Sequence, residues 1–107
     1  MIGKPVVPRE RAILDVQEAV DHYLTTAGVT TALGLIAALH SAYGHIARHP
    51  ASGSPRYAHE LGLPGLRSRA LRRYPYLVFY VEREGMIDVW RVLHTARDIP
   101  AWMSQRD

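Results

Sequence analysis

Apolar residues recur at helical spacing over the first half of this chain and crowd into short dense runs over the second. Between Arg9 and Ala27 they fall at Ile13, Val16, Val20, Tyr23 and Leu24, with Asp15, Glu18 and Asp21 on the other side. This predicts a first helix. Pro8 suits its opening turn, where the missing N–H is not needed, and Gly28 suits the position just past its end. A second stripe, Leu35, Ile36, Leu39, Tyr43 and Ile46, predicts a helix from Thr31 to Arg48. Thr30 or Thr31 would cap it and Pro50 would stop it. Two helices joined this closely form an αα-hairpin. Ahead of them Pro5 to Val7 reads as a short strand.

The second half changes rhythm. Ala51 to Pro64 is rich in Gly, Pro and Ser and reads as a loop, with a short turn around Tyr57-Ala58-His59-Glu60. Leu66 to Arg73 is the next candidate strand. Alternation puts Arg67, Arg69 and Arg73 on one face and Ser68, Ala70 and Arg72 on the other. Two dense β-type runs follow, Tyr76 to Arg83 and Ile87 to His94, joined at Glu84-Gly85 as a hairpin. Both faces of this hairpin carry large apolar groups. One face is therefore expected against the helices, the other partly covered or kept for a partner. Tyr76, Val78 and Tyr80 read as a ladder that an added chain can pair with. The order β-α-α-β-β-β gives an α+β fold: an N-terminal strand and helical hairpin packed on a small, mostly antiparallel sheet.

Length and composition narrow the setting. A chain of 107 residues, 48% hydrophobic, reads as one domain, residues 1–107, with one modest core. No run approaches a membrane span, and Met1-Ile2-Gly3-Lys4-Pro5 lacks the apolar stretch of a secretory signal. The absence of cysteine rules out disulfides and thiolate metal sites and fits a cytoplasmic protein. His45 and His49, four apart, face one side of the second helix. No carboxylate lies within that turn, so they read as a surface pair, and neither metal nor cofactor is expected. His22 and His40 read as core-edge or surface residues.

Charge is modest in total, +3, but uneven. Between His45 and Arg73 stand Arg48, Arg56, Arg67, Arg69, Arg72 and Arg73 against the single acid Glu60, whereas Glu10 to Asp21 holds four acids against Arg11. Twelve of the thirteen basic residues are Arg. A GC-rich gene raises that share by itself, yet it does not cluster the residues. Guanidinium forks bind carboxylate and phosphate at two points, so the partner is an acidic protein or nucleic acid.

Three segments carry a family resemblance: Leu63-Pro64-Gly65-Leu66-Arg67-Ser68, Tyr74-Pro75-Tyr76-Leu77-Val78-Phe79-Tyr80, and Val89-Trp90-Arg91-Val92-Leu93-His94-Thr95-Ala96-Arg97-Asp98. With the helical hairpin and its Arg48-His49-Pro50 end, they resemble the RelE/ParE superfamily of toxin–antitoxin toxins over nearly the whole chain, on the ParE (plasmid-stabilisation) side. The strand ending in Val-Leu-His-x-Ala-Arg-Asp is the more specific part. The resemblance implies a toxin that inhibits DNA gyrase by direct binding. It also implies neutralisation by a ParD-like antitoxin whose disordered C-terminal segment folds around the toxin. RelE-type relatives instead cleave mRNA on the ribosome, with basic residues on the sheet and a late tyrosine.

The residues bear on that choice. RNA cleavage needs cations to hold the backbone and groups that move protons. Arg67 and Arg69 stand where the RelE branch has strand cations, and Arg97 near its late arginine. The central arginine of the next strand, however, falls at about Tyr76, and no tyrosine follows Arg97. No catalytic residue and no direct nucleic-acid contact is therefore expected. The candidates for antitoxin or target binding are Arg67, Arg69, Arg72, Arg73, Arg91, Arg97 and Trp102. Arg91, inside an apolar strand, reads as an edge residue with its head in water or as the ion-pair partner of an antitoxin carboxylate. Arg97 and Asp98 read as hydrogen-bonded ties for the C-terminus, and Trp102 as packed on the sheet.

Overall fold

A computed structural model describes residues 3–106. Its elements run β1 (Val6–Pro8), α1 (Glu10–Thr26), α2 (Val29–Arg48), a 3-10 turn (Pro50–Ser52), α3 (Arg56–Leu61), β2 (Leu66–Ala70), β3 (Tyr76–Glu82), β4 (Ile87–His94) and α4 (Ile99–Met103). The four strands form one sheet in the order β1-β4-β3-β2. β1 runs parallel to β4, and the other two pairings are antiparallel. The α+β reading and the mostly antiparallel sheet stand. β3 is an interior strand, however, so Tyr76, Val78 and Tyr80 are paired on both sides and form no open edge.

The helical hairpin covers one face of the sheet. Ala12, Ala19, Leu35, Leu39, Ala42 and Ile46 meet Tyr76, Val78, Tyr80, Ile87, Val89 and Val92 there. Alanines at the contact let α1 lie close to the strands. That is why Ile13 and Leu24, expected inside, remain 44% and 46% exposed. The other face carries Leu66, Phe79, Val81, Trp90 and Leu93, closed over by α3 and α4 through Tyr57, Leu61, Ile99 and Met103. A bulge in β4 makes this division possible. Phe79 pairs with Arg91 and Tyr80 with Val89, leaving Trp90 as the extra residue. The added residue shifts the alternation, so Val89 and Val92 face the hairpin while Trp90 and Leu93 face α4.

Several ends differ from the sequence expectation. Pro8 closes β1 rather than opening α1, and Arg9 precedes the helix without a side-chain cap. α2 begins at Val29, and neither Thr30 nor Thr31 caps it; Gly28 stands before it instead. Gly28 does end α1, with its N–H on the Tyr23 carbonyl at 2.8 Å. At φ 96° and ψ 175° it occupies backbone space nearly reserved for glycine, which lets a single residue end one helix and start the next. β2 stops at Ala70, because the Leu71 N–H turns to the Tyr76 carbonyl and Arg73 adopts φ 69°. At the far end Asp98 caps a short helix that the sequence reading missed, its Oδ1 accepting from the Ala101 N–H at 3.4 Å.

Candidate functional site

The seven candidate residues divide among four settings. Arg67 and Arg69 pair across from Tyr80 and Val78, so they project on the helical-hairpin side of the outer strand β2. Arg72 and Arg73 lie in the exposed β2–β3 turn, off the strand and away from the alternation expected of them. Arg97 and Trp102 sit together just past the end of β4, at the same end of the sheet as that turn, where the Thr95 N–H meets the Pro75 carbonyl at 2.8 Å. Arg91 is interior.

Around Arg67 the local chain is closely fitted. The Tyr80 hydroxyl donates to the Pro50 carbonyl at 2.7 Å and accepts from the Gly53 N–H at 3.1 Å. Arg67 Nη1 donates to the Gly53 carbonyl at 2.8 Å. A Cβ on Gly53 would run into the Tyr80 hydroxyl and stand 3.0 Å from the Arg67 Cβ. Gly53→Ala is therefore expected to destabilise the protein by about 1–3 kcal/mol, the usual cost of forced overpacking. Urea unfolding of the two proteins checks it.

The α2 end adds basic groups that the sequence reading left out of the stripe. His45 titrates below its ordinary value, through desolvation first and then through its nearness to Arg69, His49 and Arg48. Arg48, Arg69, Arg72 and Arg73 have no carboxylate partner among the described residues. At neutral pH the imidazole is uncharged, and the arginines alone set the local positive field. Removing one neighbouring cation relieves the imidazolium, so Arg69→Ala should raise the His45 titration midpoint, followed by NMR. The histidine pair came from i, i+4 spacing; its tie to β2 is tertiary and leaves no local trace. No group of three metal-binding side chains occurs among the described residues.

Arg91 corrects both sequence readings of it. It is 1% exposed. Its Nε and Nη2 donate to Asp15 at 2.7 and 2.6 Å, and its Nη1 to the carbonyls of Trp102 and Gln105, each at 2.8 Å. Its head is neither in water nor available to a partner's carboxylate. Asp15 also accepts the Val92 N–H at 3.0 Å, beyond the point where β1 stops pairing, at Pro8 with Val89. One carboxylate therefore covers an open stretch of β4 and holds the arginine that binds the C-terminal carbonyls.

At that end of the sheet lies a hollow of about 270 Å³. Glu18 and His22 of α1 form one wall, Tyr76, His94, Arg97 and Trp102 the other. The Arg97 guanidinium stacks 3.9 Å from the Trp102 ring centre, and His94 meets Tyr76 edge to face at 5.1 Å. Arg97 thus ties the C-terminus by stacking, and Asp98 by its cap. Trp102 lines the hollow and packs on the Trp90 and Leu93 face. A third feature is a groove between the helices, lined by Val16, Val20, Ile36 and Leu39 and flanked by Gln17, Asp21 and His40. Ile13, Leu24, Val29 and Leu33 stand exposed on the same hairpin, the last two at 63% and 59%.

An α+β sheet backed by a helical hairpin, with arginines on its outer strand and an apolar groove between the helices, is the architecture expected of a RelE/ParE-type toxin. The family model described as the ParE toxin of the type II toxin–antitoxin system parDE matches residues 6–99, and the chain belongs to that family. Among solved structures, a chain of the chromosomal ParDE toxin–antitoxin system from P. aeruginosa superposes with a TM-score of 0.72 at 19% identity, covering 85% of this chain and 95% of its own. No curated protein is significantly similar in sequence. No helix among the described residues is long and apolar enough to cross a membrane.

Proposed function

We propose that this toxin acts without chemistry of its own, by binding DNA gyrase, and that a ParD-like antitoxin neutralises it. The observation that carries the docking part is the apolar groove between α1 and α2, with Ile13, Leu24, Val29 and Leu33 exposed elsewhere on the same hairpin. An amphipathic antitoxin segment that folds on contact would bury those side chains, and its acidic residues would meet Arg67, Arg69 and the exposed turn arginines. Membership of the ParE family supports gyrase as the target. RNA chemistry finds little to work with. Tyr76, where a cation would be needed, is buried, and no tyrosine follows Arg97.

Two assays on purified toxin test the target. Gyrase supercoiling should fall while labelled mRNA on programmed ribosomes stays intact. Cleaved mRNA with unaffected supercoiling would mean a ribosome-dependent endonuclease instead. For the stripe, the paired change Arg67→Ala and Arg69→Ala should weaken antitoxin binding by about tenfold and steepen its loss with salt less than in the parent protein, since exposed charges act mainly through steering and specificity. Titration calorimetry at two salt concentrations reads both. Wild-type affinity and toxicity in the double variant would remove the stripe from the interface.

A further inference from the structure

The hollow at the end of β4 is separate from the groove between the helices and from the β2 arginines. Three observations give it a chemistry. First, β1 pairs only with Ile87 to Val89, so beyond that point β4 has β3 on one side and, in place of a strand, α1 on the other. Second, the fold already places one carboxylate there, Asp15, which takes the Val92 N–H and the Arg91 guanidinium. Third, Arg97 has no carboxylate partner among the described residues and lies exposed on the Trp102 ring. Beside it the His94 Nδ1 accepts the Ala96 N–H at 3.0 Å. In the neutral imidazole the proton is thus on Nε2, which makes that nitrogen a donor.

We propose that this hollow receives the aspartate or glutamate side chain of a partner segment docked over its mouth. The Arg97 fork and the His94 Nε2–H bind the carboxylate, and Tyr76 and Trp102 wall its aliphatic stem. A singly charged carboxylate suits the site better than a phosphate. Glu18 faces the same space, and its repulsion grows with the charge of the guest. The inference rests on the reading of this protein as a docking toxin and names a second contact for its partner.

The test uses the purified full chain and three blocked five-residue peptides of alternating valine, bearing Glu, Lys or phosphoserine at the centre. Amide and indole NMR signals are followed during titration. The Glu peptide should shift the His94 amide and the Trp102 indole saturably and bind at least fivefold more tightly than the other two. Arg97→Met keeps the stem over the indole while deleting the charge, and should weaken the Glu peptide about tenfold. Glu18→Gln should tighten it at least twofold. A Lys or phosphoserine peptide that binds equally well, or Glu-peptide affinity unchanged in Arg97→Met, would overturn the proposal. So would shifts confined to the groove between α1 and α2. Antitoxin binding, measured separately on Arg97→Met, reports on the docking reading itself, so the two can fail independently.

Discussion

Asp15→Ala should cost this protein about 3–5 kcal/mol, the range seen when one member of a buried ion pair is removed. The reason is the neighbour left behind. Arg91 is 1% exposed and Asp15 accepts two of its donors. Without the carboxylate, a charged guanidinium stays in the interior with only the Trp102 and Gln105 carbonyls. The Val92 N–H loses its acceptor as well. Small domains hold about 5–15 kcal/mol in total, so the loss is a substantial fraction of the protein's stability and should lower its urea midpoint clearly. Urea denaturation followed by circular dichroism measures the loss. A double variant, Asp15→Leu with Arg91→Met, removes both charges and should recover much of the stability, because well-packed apolar substitutes often match a buried pair. A single-variant cost below about 1 kcal/mol would show that Arg91 finds water instead.

That pair marks the limit of what could be read from the chain. Periodicity located both helices, the β2 to β4 runs and the hairpin turn, since each depends on residues a few positions apart. It also placed Arg67 and Arg69 together on one face of β2. It put Asp15 on the solvent side of α1 and Arg91 on an open edge, because their contact joins residues 76 positions apart. The counting of large side chains misplaced the core face of α1 in the same way: Ala12 and Ala19, not Ile13 and Leu24, approach the sheet. Alternation also failed where the backbone turns. Arg72 and Arg73 follow a strand that ends early, and the bulge at Trp90 reverses the parity of β4. The hollow beside His94 was invisible for a further reason. It exists only because β1 is three residues long and leaves the rest of β4 to α1.

A second buried carboxylate supplies a pH-dependent share of stability. Asp88 is held by Arg9 through two bonds of 3.0 Å, by Arg83 at 3.1 Å and by the Trp90 indole N–H at 3.0 Å. Burial works against its charged form, but the bonds from Arg9, Trp90 and Arg83 outweigh that and bring the carboxyl below its ordinary value. These contacts join the β1–α1 junction, the β3–β4 turn and the β4 indole, so Asp88→Asn should cost about 3 kcal/mol at neutral pH, the scale of losing charge-assisted bonds at a buried group. The sign of the pH effect follows from linkage. The carboxyl binds its proton more readily in the unfolded chain, where its pKa is about 3.9, than in the folded protein. Its contribution is therefore complete above that pH and is lost as pH falls through the lower folded-state value. Stability curves of the parent and Asp88→Asn, measured by urea unfolding from pH 7 to pH 2, should run parallel down to about pH 4 and then converge. The convergence arises because a protonated Asp88 and an asparagine are both neutral and equally unable to hold three cationic or N–H donors with a full charge. A gap that stays constant to pH 2 would mean that the carboxylate's charge contributes nothing and that Asp88 serves only as a neutral acceptor.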